Sequence, residues 1–559
     1  MIKLSAQKSQ TFVFGAIILM ISNILVKVIG MFFRVPLTNM IGTTGMAYYN
    51  AAYSIYVAFY MISTAGIPVA VSRMIAASNS KGNVAEVKKI FSIAYRLFFV
   101  VGLAGTVIMI VFSKKLAVFS KMPDSYLAMI AIAPTLFFIC LSTAYRGFFQ
   151  GLQNMVPSAV SQVIEAIGKI GIGIVAAWYF YVIKGYELHI VAAFVIFGVT
   201  LGVVAATLYI YVIKLMYNSA AEHMKTPQGC AEMVARPTKS LLYELVITSM
   251  PIALASSIMG LTNTVDTMLI ARRLTESGML QEAATSFYGT YSSMVIPLFN
   301  MAPTLIYPFA IGVIPALSAA IANGKKNECA EHMQSAFRMA ALIAIPCAIG
   351  MGTISHDILS ALFNSEIINT GKGVVDAIDV AAPALSIVST AIFFLAVISI
   401  TNSILQAYRF EKYTIISTVS GILAKIVLTY IFTGIPGLGI MGSAIGTAAG
   451  YFTIMSFNMY FVITKTHFVP SIRKIFLKPL IAGIACGITA YISTNVVSGF
   501  ITSYKIRTAI SIALAAAVYL VVIILIKGIN RADVLMLPKG NKICALMDRF
   551  NMLDKEVNN

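Results

Sequence analysis

The sequence predicts an all-α polytopic membrane protein, and three observations carry that prediction. Of its 559 residues, 59% are hydrophobic. Only 11% are charged, less than half the roughly 25% found in soluble domains. Apolar runs longer than about 18 residues recur along the whole chain, each able to cross a bilayer as a helix. These runs are continuous and do not alternate, which argues against a β-barrel.

In order, the runs number fourteen, near residues 11–33, 46–70, 91–113, 125–147, 156–183, 189–216, 241–271, 286–318, 337–362, 377–407, 413–434, 438–464, 476–499 and 506–528. The first follows Lys3 and Lys8 and carries Lys27 inside it, with Arg34 just beyond. It is too long for the apolar core of a signal peptide and no small-residue cleavage site follows, so it reads as a span. The second holds Tyr49, Tyr53, Tyr56 and Tyr60, a spacing that puts four phenols on one helical face. Such a stripe suits either a cavity wall that stacks on sugar rings or a packing face with an interfacial belt. Arg73 follows at the inner end of the same span and reads as a topology anchor or a substrate gate.

The stretch YRGFFQGLQNMVPSAVSQVIEAIGK, from Tyr145 to Lys169, organises the rest. Arg146, Gly147, Gln150, Gly151, Gln153, Asn154 and Pro157 form a tight polar connector between two antiparallel spans. The second of these carries Glu165 and Lys169 one helical turn apart, inside the hydrocarbon. They either neutralise each other as an i,i+4 pair or mark a pathway. Lys425 is a further cation within a span, the eleventh. Asp266, on the seventh, is a weak candidate for a coupling cation, beside Arg272 and Arg273 with which it could form a surface ion pair.

The longest loop, near 217–240, falls close to the middle of the first twelve spans. The expected organisation is a six-helix lobe (1–217), a cytoplasmic linker (218–240), a second six-helix lobe (241–465), two extra spans (466–530) and a cytoplasmic tail (531–559). A repeat supports the two lobes. Ile67–Ser72 before a loop with Ser80-Lys81-Gly82-Asn83 is echoed by Ile314–Ser318 before Gly324-Lys325-Lys326-Asn327. Gln150 and Lys169 likewise correspond to Gln406 and Lys425 at the same offset. Lobes with both N-termini inside are parallel repeats about an axis along the membrane normal, the logic of a rocking transporter.

Most of the 40 Lys and Arg fall in loops and tails on one side when the N-terminus is placed in the cytoplasm. Both termini are therefore expected inside, in a multi-pass cytoplasmic-membrane protein. The net charge of +19 reflects topology and anionic headgroups rather than nucleic acid. The six cysteines and five histidines are scattered, with no CxxC spacing. No metal, cofactor or disulfide framework is expected. No loop is long enough for a catalytic domain and no acidic pair stands at useful spacing, so the protein is not expected to be an enzyme.

The Tyr145–Lys169 stretch resembles the signature of the polysaccharide-transporter branch of the multidrug/oligosaccharidyl-lipid/polysaccharide (MOP) exporters. It is most like the stage V sporulation protein B type, related to MurJ-type lipid II flippases. KVIGMFFRVPLTNMIGTTG (Lys27–Gly45) and AGIPVAVSRMIAASNSKGN (Ala65–Asn83) support the resemblance, which covers almost the whole chain. It implies a flippase for undecaprenyl-linked saccharide, most simply the peptidoglycan precursor lipid II, working by alternating access. The implied partners are the lipid-linked saccharide, membrane lipids and cell-wall synthesis proteins. Alternatives are another polysaccharide precursor as cargo, or a cation-coupled multidrug exporter of the same superfamily. Lys27-Val28-Ile29-Gly30 matches the family's basic-x-x-Gly pattern, and Lys27 and Arg34 are natural phosphate partners. Sodium-coupled members carry an acid in the eleventh span, where this chain has Lys425. An amine cannot ligate sodium, so Lys425 either replaces the ion or binds substrate.

Overall fold

A chain this apolar must satisfy its backbone within each segment, and it does so with helices. The computed structural model describes residues 12–64, 66–223, 234–371, 373–471, 473–528 and 530. Within them the side chains of 12–21, 23–24, 27–28, 31–32, 62, 67, 218–223, 250–263, 308, 311, 315–316 and 474 are not described. The side chain of Lys27, most of the expected linker and the expected tail at 531–559 therefore lie outside the description.

The chain divides into two compact units, Met1–Arg272 and Arg273–Asn559. The first holds α1 (Phe12–Thr64), α2 (Ile67–Ser80), α3 (Val84–Phe119), α4 (Tyr126–Gly151), α5 (Val156–Ala177), α6 (Leu188–His223) and nearly all of α7 (Thr238–Glu276). The second holds α8 (Gln281–Thr290), α9 (Ile296–Phe299), α10 (Met301–Ala322), α11 (Lys326–Thr353), α12 (Ser355–Leu362) and α13 (Ala377–Ala407). It continues with α14 (Glu411–Thr433), α15 (Ile440–Thr466), α16 (Lys478–Ser498) and α17 (Tyr504–Leu525). Among the described residues, 11 helical segments are long and apolar enough to cross a membrane. Each coincides with an expected span. The remaining expected spans, 11–33, 46–70 and 241–271, fall on α1, α2 and α7, parts of which lie outside the description.

The structure corrects several boundaries. The first expected span and most of the second form one continuous assignment, broken at Gly42 with φ 69° and ψ −178°, a conformation open essentially to glycine alone. The expected span 46–70 stops at Thr64, and α2 restarts at Ile67 with Pro68 in its first turn. Proline there has no N–H to continue the preceding helix and suits a new start. Arg146, Gly147 and Gln150 are helical: α4 runs to Gly151, so the connector is only Leu152–Met155. The expected span 337–362 divides at Ile354 into α11 and the short α12. The loop beyond holds an antiparallel hairpin, β1 (Ile367–Asn369) with β2 (Val374–Asp376).

Close helix pairs are built on glycine. A Cβ on Gly168 would lie 2.6 Å from the Gly202 Cα, and one on Gly202 would lie 2.8 Å from the Glu165 carbonyl and the Lys169 nitrogen. These contacts press α6 against the turn of α5 that carries both charges. In the second unit, Gly442, Gly446 and Gly450 of α15 meet Phe432–Thr433, Thr429 and Lys425 of α14. Small residues at such crossings let backbones approach, gaining van der Waals contact where no hydrophobic force acts between helices. α16 and α17 pack on each other and α16 on α11, where Gly483 and Gly487 take Ile345 and Ile349.

The end of the linker is tied to the start of α3. Asn83 caps α3 by accepting from the Glu86 backbone N–H at 3.0 Å. Arg236 bridges Glu86 at 3.0 Å and Glu244 at 2.8 Å, Ser78 donates to Glu86 at 2.8 Å, and Lys89 donates to the Arg236 carbonyl at 2.6 Å.

Gly446→Leu, which would drive a side chain into the Thr429 backbone 2.7 Å from a Cβ, is expected to cost about 3 kcal/mol or more and to lower the thermal midpoint of the purified protein. Gly350→Ala, with nothing within 4 Å of the new Cβ, is expected to leave that midpoint unchanged.

Candidate functional site

The charges that sequence singled out inside the first unit meet on α1, α4 and α5, but not in the pairing their spacing suggests. Glu165 does not pair with Lys169. Its Oε2 accepts from Arg146 Nη2 of α4 at 2.9 Å. Arg146 Nε donates to Ser161 Oγ at 2.9 Å, and Ser161 in turn donates to the Ser158 carbonyl. Arg146 is thus buried among α4 and α5 with a charge-assisted partner, the condition under which a guanidinium tolerates burial.

Lys169 is left to α1. Its ammonium lies 4.4 Å from the Tyr53 ring centroid and 5.8 Å from that of Phe33. Tyr49 and Arg34 lie within electrostatic reach of it. Ring faces offer a cation part of what hydrocarbon withholds. A carboxylate would offer more, and Glu165 is already engaged by Arg146. Lys169 is therefore a cation held by phenols.

The expected tyrosine stripe forms a continuous run. Successive centroids from Tyr49 to Tyr53, Tyr56 and Tyr60 are 6.0, 5.8 and 6.1 Å apart. Tyr49 and Tyr56 are fully packed, whereas Tyr53 and Tyr60 are half-buried. Tyr56 and Tyr60 lie within electrostatic reach of Glu165, and Tyr60 also of Arg146. The stripe therefore runs from the Lys169 and Arg34 tier to the Arg146–Glu165 tier. The buried Tyr49 hydroxyl has the Lys169 ammonium as its polar neighbour. Gln162 Oε1 is buried with no hydrogen-bond partner among the described residues, and such an orphan calls for a ligand or water.

The other sequence candidates lie elsewhere. Arg34 is partly buried on α1, and Arg73 is exposed on α2. Lys425 is buried on α14 in the face Ser417, Gly421, Lys425, Thr429 and Thr433. Its Cβ faces Gly450 of α15, whereas the Lys169 ammonium lies over the rings of α1, so the two lysines have different surroundings. Asp266 is partly buried on α7, where Thr264 donates to the Ser54 carbonyl and Thr267 bonds the Ser54 hydroxyl at 2.6 Å. Arg273 pairs with Glu276 at 3.1 Å and donates to the Tyr430 carbonyl. Among the described residues, no group of three or more His, Cys, Asp or Glu could hold a metal.

Arg146 and Ser161 are the residues that sequence reading missed as site members. Arg146 was legible only as a connector residue near a helix end. The signal that could have found it is an arginine still inside the α4 helix, facing an acid on the next helix.

The model for the family described as "Polysaccharide biosynthesis protein" matches residues 12–321. Over 540 residues the chain is 24% identical to stage V sporulation protein B of Bacillus subtilis, covering 95% of this chain and 98% of that one. It is 23% identical over 524 residues to the lipid II flippase MurJ of the same organism, covering 90% and 92%. A solved MurJ in an inward closed conformation aligns with a TM-score of 0.65 at 16% identity, covering 90% of this chain and 98% of that one. The fold is that of MurJ and, at 14% identity and a TM-score of 0.59, of a multidrug transporter of the MOP superfamily: a polytopic helical membrane protein. Within that class, the chain belongs to the polysaccharide biosynthesis protein family.

Removing Arg146 leaves Glu165 without its countercharge. Arg146→Met is expected to destabilise the first unit by about 1–3 kcal/mol, below the full value for a deeply buried pair because the Glu165 side chain is 29% exposed. Adding Glu165→Gln is expected to recover part of that loss, checked by a double-mutant cycle of thermal midpoints.

Proposed function

We propose that this protein is a flippase that moves an undecaprenyl-linked saccharide, most simply lipid II, across the cytoplasmic membrane by alternating access. The observation that carries the reading is the α1–α5 tier: Lys169 and Arg34 beside a ladder of four tyrosines, with no carboxylate paired to Lys169 among the described residues. A lipid-linked sugar diphosphate needs cations for its phosphates and aromatic or hydroxylic surface for its sugars. The first unit offers both where α1 meets α5, and the Gln162 side-chain carbonyl is a polar atom that a saccharide would satisfy. Similarity over nearly the whole length to a protein named as a lipid II flippase supports the same cargo class.

The polarity of the site favours an anionic cargo over a cationic drug, since among the described residues of α1, α4 and α5 Glu165 is paired with Arg146 while Lys169 meets no carboxylate. In this reading Lys27 and Arg34 meet the diphosphate first and Lys169 holds it. Arg146–Glu165 fixes the geometry of α4 against α5. Arg73 stands at the inner rim, and Lys425 supplies a fixed charge in the second lobe where an acid would bind sodium. Asp266 is a weak coupling-ion candidate. The N- and C-termini lie in the cytoplasm, the lobes 1–217 and 241–465 rock about the site, and the protein transports without catalysing a covalent step.

In a strain depleted of its lipid II flippase, the wild-type protein is expected to restore lipid II exposure on the outer face. At matched membrane levels, Arg34→Ala, Lys27→Ala and Lys169→Met are each expected to lower it by about tenfold or more, the worth of one charge-assisted contact to phosphate. Absence of rescue by a correctly inserted wild type would point to another glycolipid cargo. Full rescue by all three variants would remove the cationic site.

A further inference from the structure

Away from the α1–α4–α5 site, α4 turns another face to α3 and α6, and there the first unit buries a second cation. Lys214 of α6 is only 7% exposed. Its ammonium sits 3.4 Å from the Phe148 ring centroid of α4, 5.1 Å from Phe91 of α3 and 5.3 Å from Tyr217 of α6. The only charged group within electrostatic reach of it among the described residues is Lys88, at the start of α3, and that is another cation. No carboxylate pairs with Lys214 and it makes no hydrogen bond among the described residues. The acid nearest in sequence to Lys88, Glu86, has its carboxylate taken up by Arg236 and Ser78. A second layer of rings, Tyr95, Tyr145 and Tyr211, continues from Phe91 along the same crevice.

Three ring faces stabilise an ammonium, but they do not neutralise it. Two cations in one crevice repel, and a charge taken out of water without a counterion is costly. The missing partner is an anion, and the position of the crevice says which kind. Lys88 is exposed, and around Lys214 the α6 residues Tyr211, Val212, Leu215 and Met216 are 44–52% exposed apolar side chains, as suits a face that meets acyl chains. The start of α3, the end of α4 and the end of α6 lie together at one end of the unit, the end that the linker leaves and re-enters.

We infer that the α3–α4–α6 crevice of Lys88, Lys214, Phe91, Phe148 and Tyr217 is a binding site for the phosphate headgroup of an anionic phospholipid of the inner leaflet, separate from the transport site. The headgroup phosphate lies between the two ammonium groups, the rings form its floor, and the acyl chains run along the exposed face of α6. Lipid bound there ties α3 to α6, and through the Glu86–Arg236 bridge it reaches the segment entering α7.

The test uses the full-length protein purified in mild detergent and titrated with dioleoyl phosphatidylglycerol or dioleoyl phosphatidylcholine, read by native mass spectrometry and by thermal midpoint. Wild type is expected to retain phosphatidylglycerol in preference to phosphatidylcholine and to gain thermal stability from the former alone. Lys214→Met is expected to reduce phosphatidylglycerol occupancy about fivefold, the factor one cation near an anionic lipid surface contributes. It should also abolish the lipid-dependent rise in midpoint, while Lys214→Arg keeps both. Lys88→Gln, at an exposed position that cannot upset the fold, is expected to give a similar reduction. Equal retention of the two lipids by wild type, or unchanged phosphatidylglycerol occupancy in both Lys214→Met and Lys88→Gln, would overturn the assignment. A Lys214→Met variant that is less stable without lipid yet keeps the full lipid-dependent rise would also overturn it, reducing Lys214 to a packing residue.

Discussion

A cation inside hydrocarbon must be given a partner, and the first unit is arranged around how it does so. Arg146 is given a carboxylate and a hydroxyl from the next helix. Lys169, only partly buried, is given phenols, and Lys214 is given only rings. That difference separates a cation paired with a carboxylate from two that pair with none among the described residues. The first holds helices together. The other two stand on different faces of the α4 neighbourhood, Lys169 toward the tyrosines of α1 and Lys214 toward the crevice between α3 and α6.

Glycine makes the arrangement possible. Because α6 comes within a Cβ of the α5 backbone at Gly168 and Gly202, the turn bearing Glu165 and Lys169 cannot present side chains toward α6. They go toward α4 and α1, where Arg146 and the tyrosines wait. The same device at Gly442, Gly446 and Gly450 brings α15 onto α14, but there Lys425 lies in the contact face itself. The two glycine-built crossings thus hold their lysines differently, Lys169 beside the rings of α1 and Lys425 within the α14–α15 contact.

Much of the fold was legible in the sequence because hydrocarbon tolerates so few solutions. Continuous apolar length gave the helices and their order, and the tyrosine spacing gave the α1 face. What was not legible was local or relational. The breaks at Gly42, between α1 and α2, and at Ile354 depend on backbone choices that hydropathy does not record. The hairpin at 367–376 is too short to show a period. The partner of Glu165 was misread because an i,i+4 lysine is visible along the chain, whereas Arg146 becomes its neighbour only when α4 folds back on α5. The Lys214 crevice was invisible for the same reason: Phe91, Phe148 and Lys214 are far apart until three helices meet.

In the proposed function, Lys169 and the tyrosine ladder bind the diphosphate of a polyprenyl-linked sugar. The most direct measurement is the affinity of purified wild type and Lys169→Met for lipid II and for undecaprenol, which has the same tail without phosphate or sugar. The account predicts that wild type prefers lipid II to undecaprenol by about a hundredfold, two charge-assisted contacts' worth, and that Lys169→Met loses at least about tenfold of that preference while its affinity for undecaprenol is unchanged. An equal preference in both proteins would contradict it.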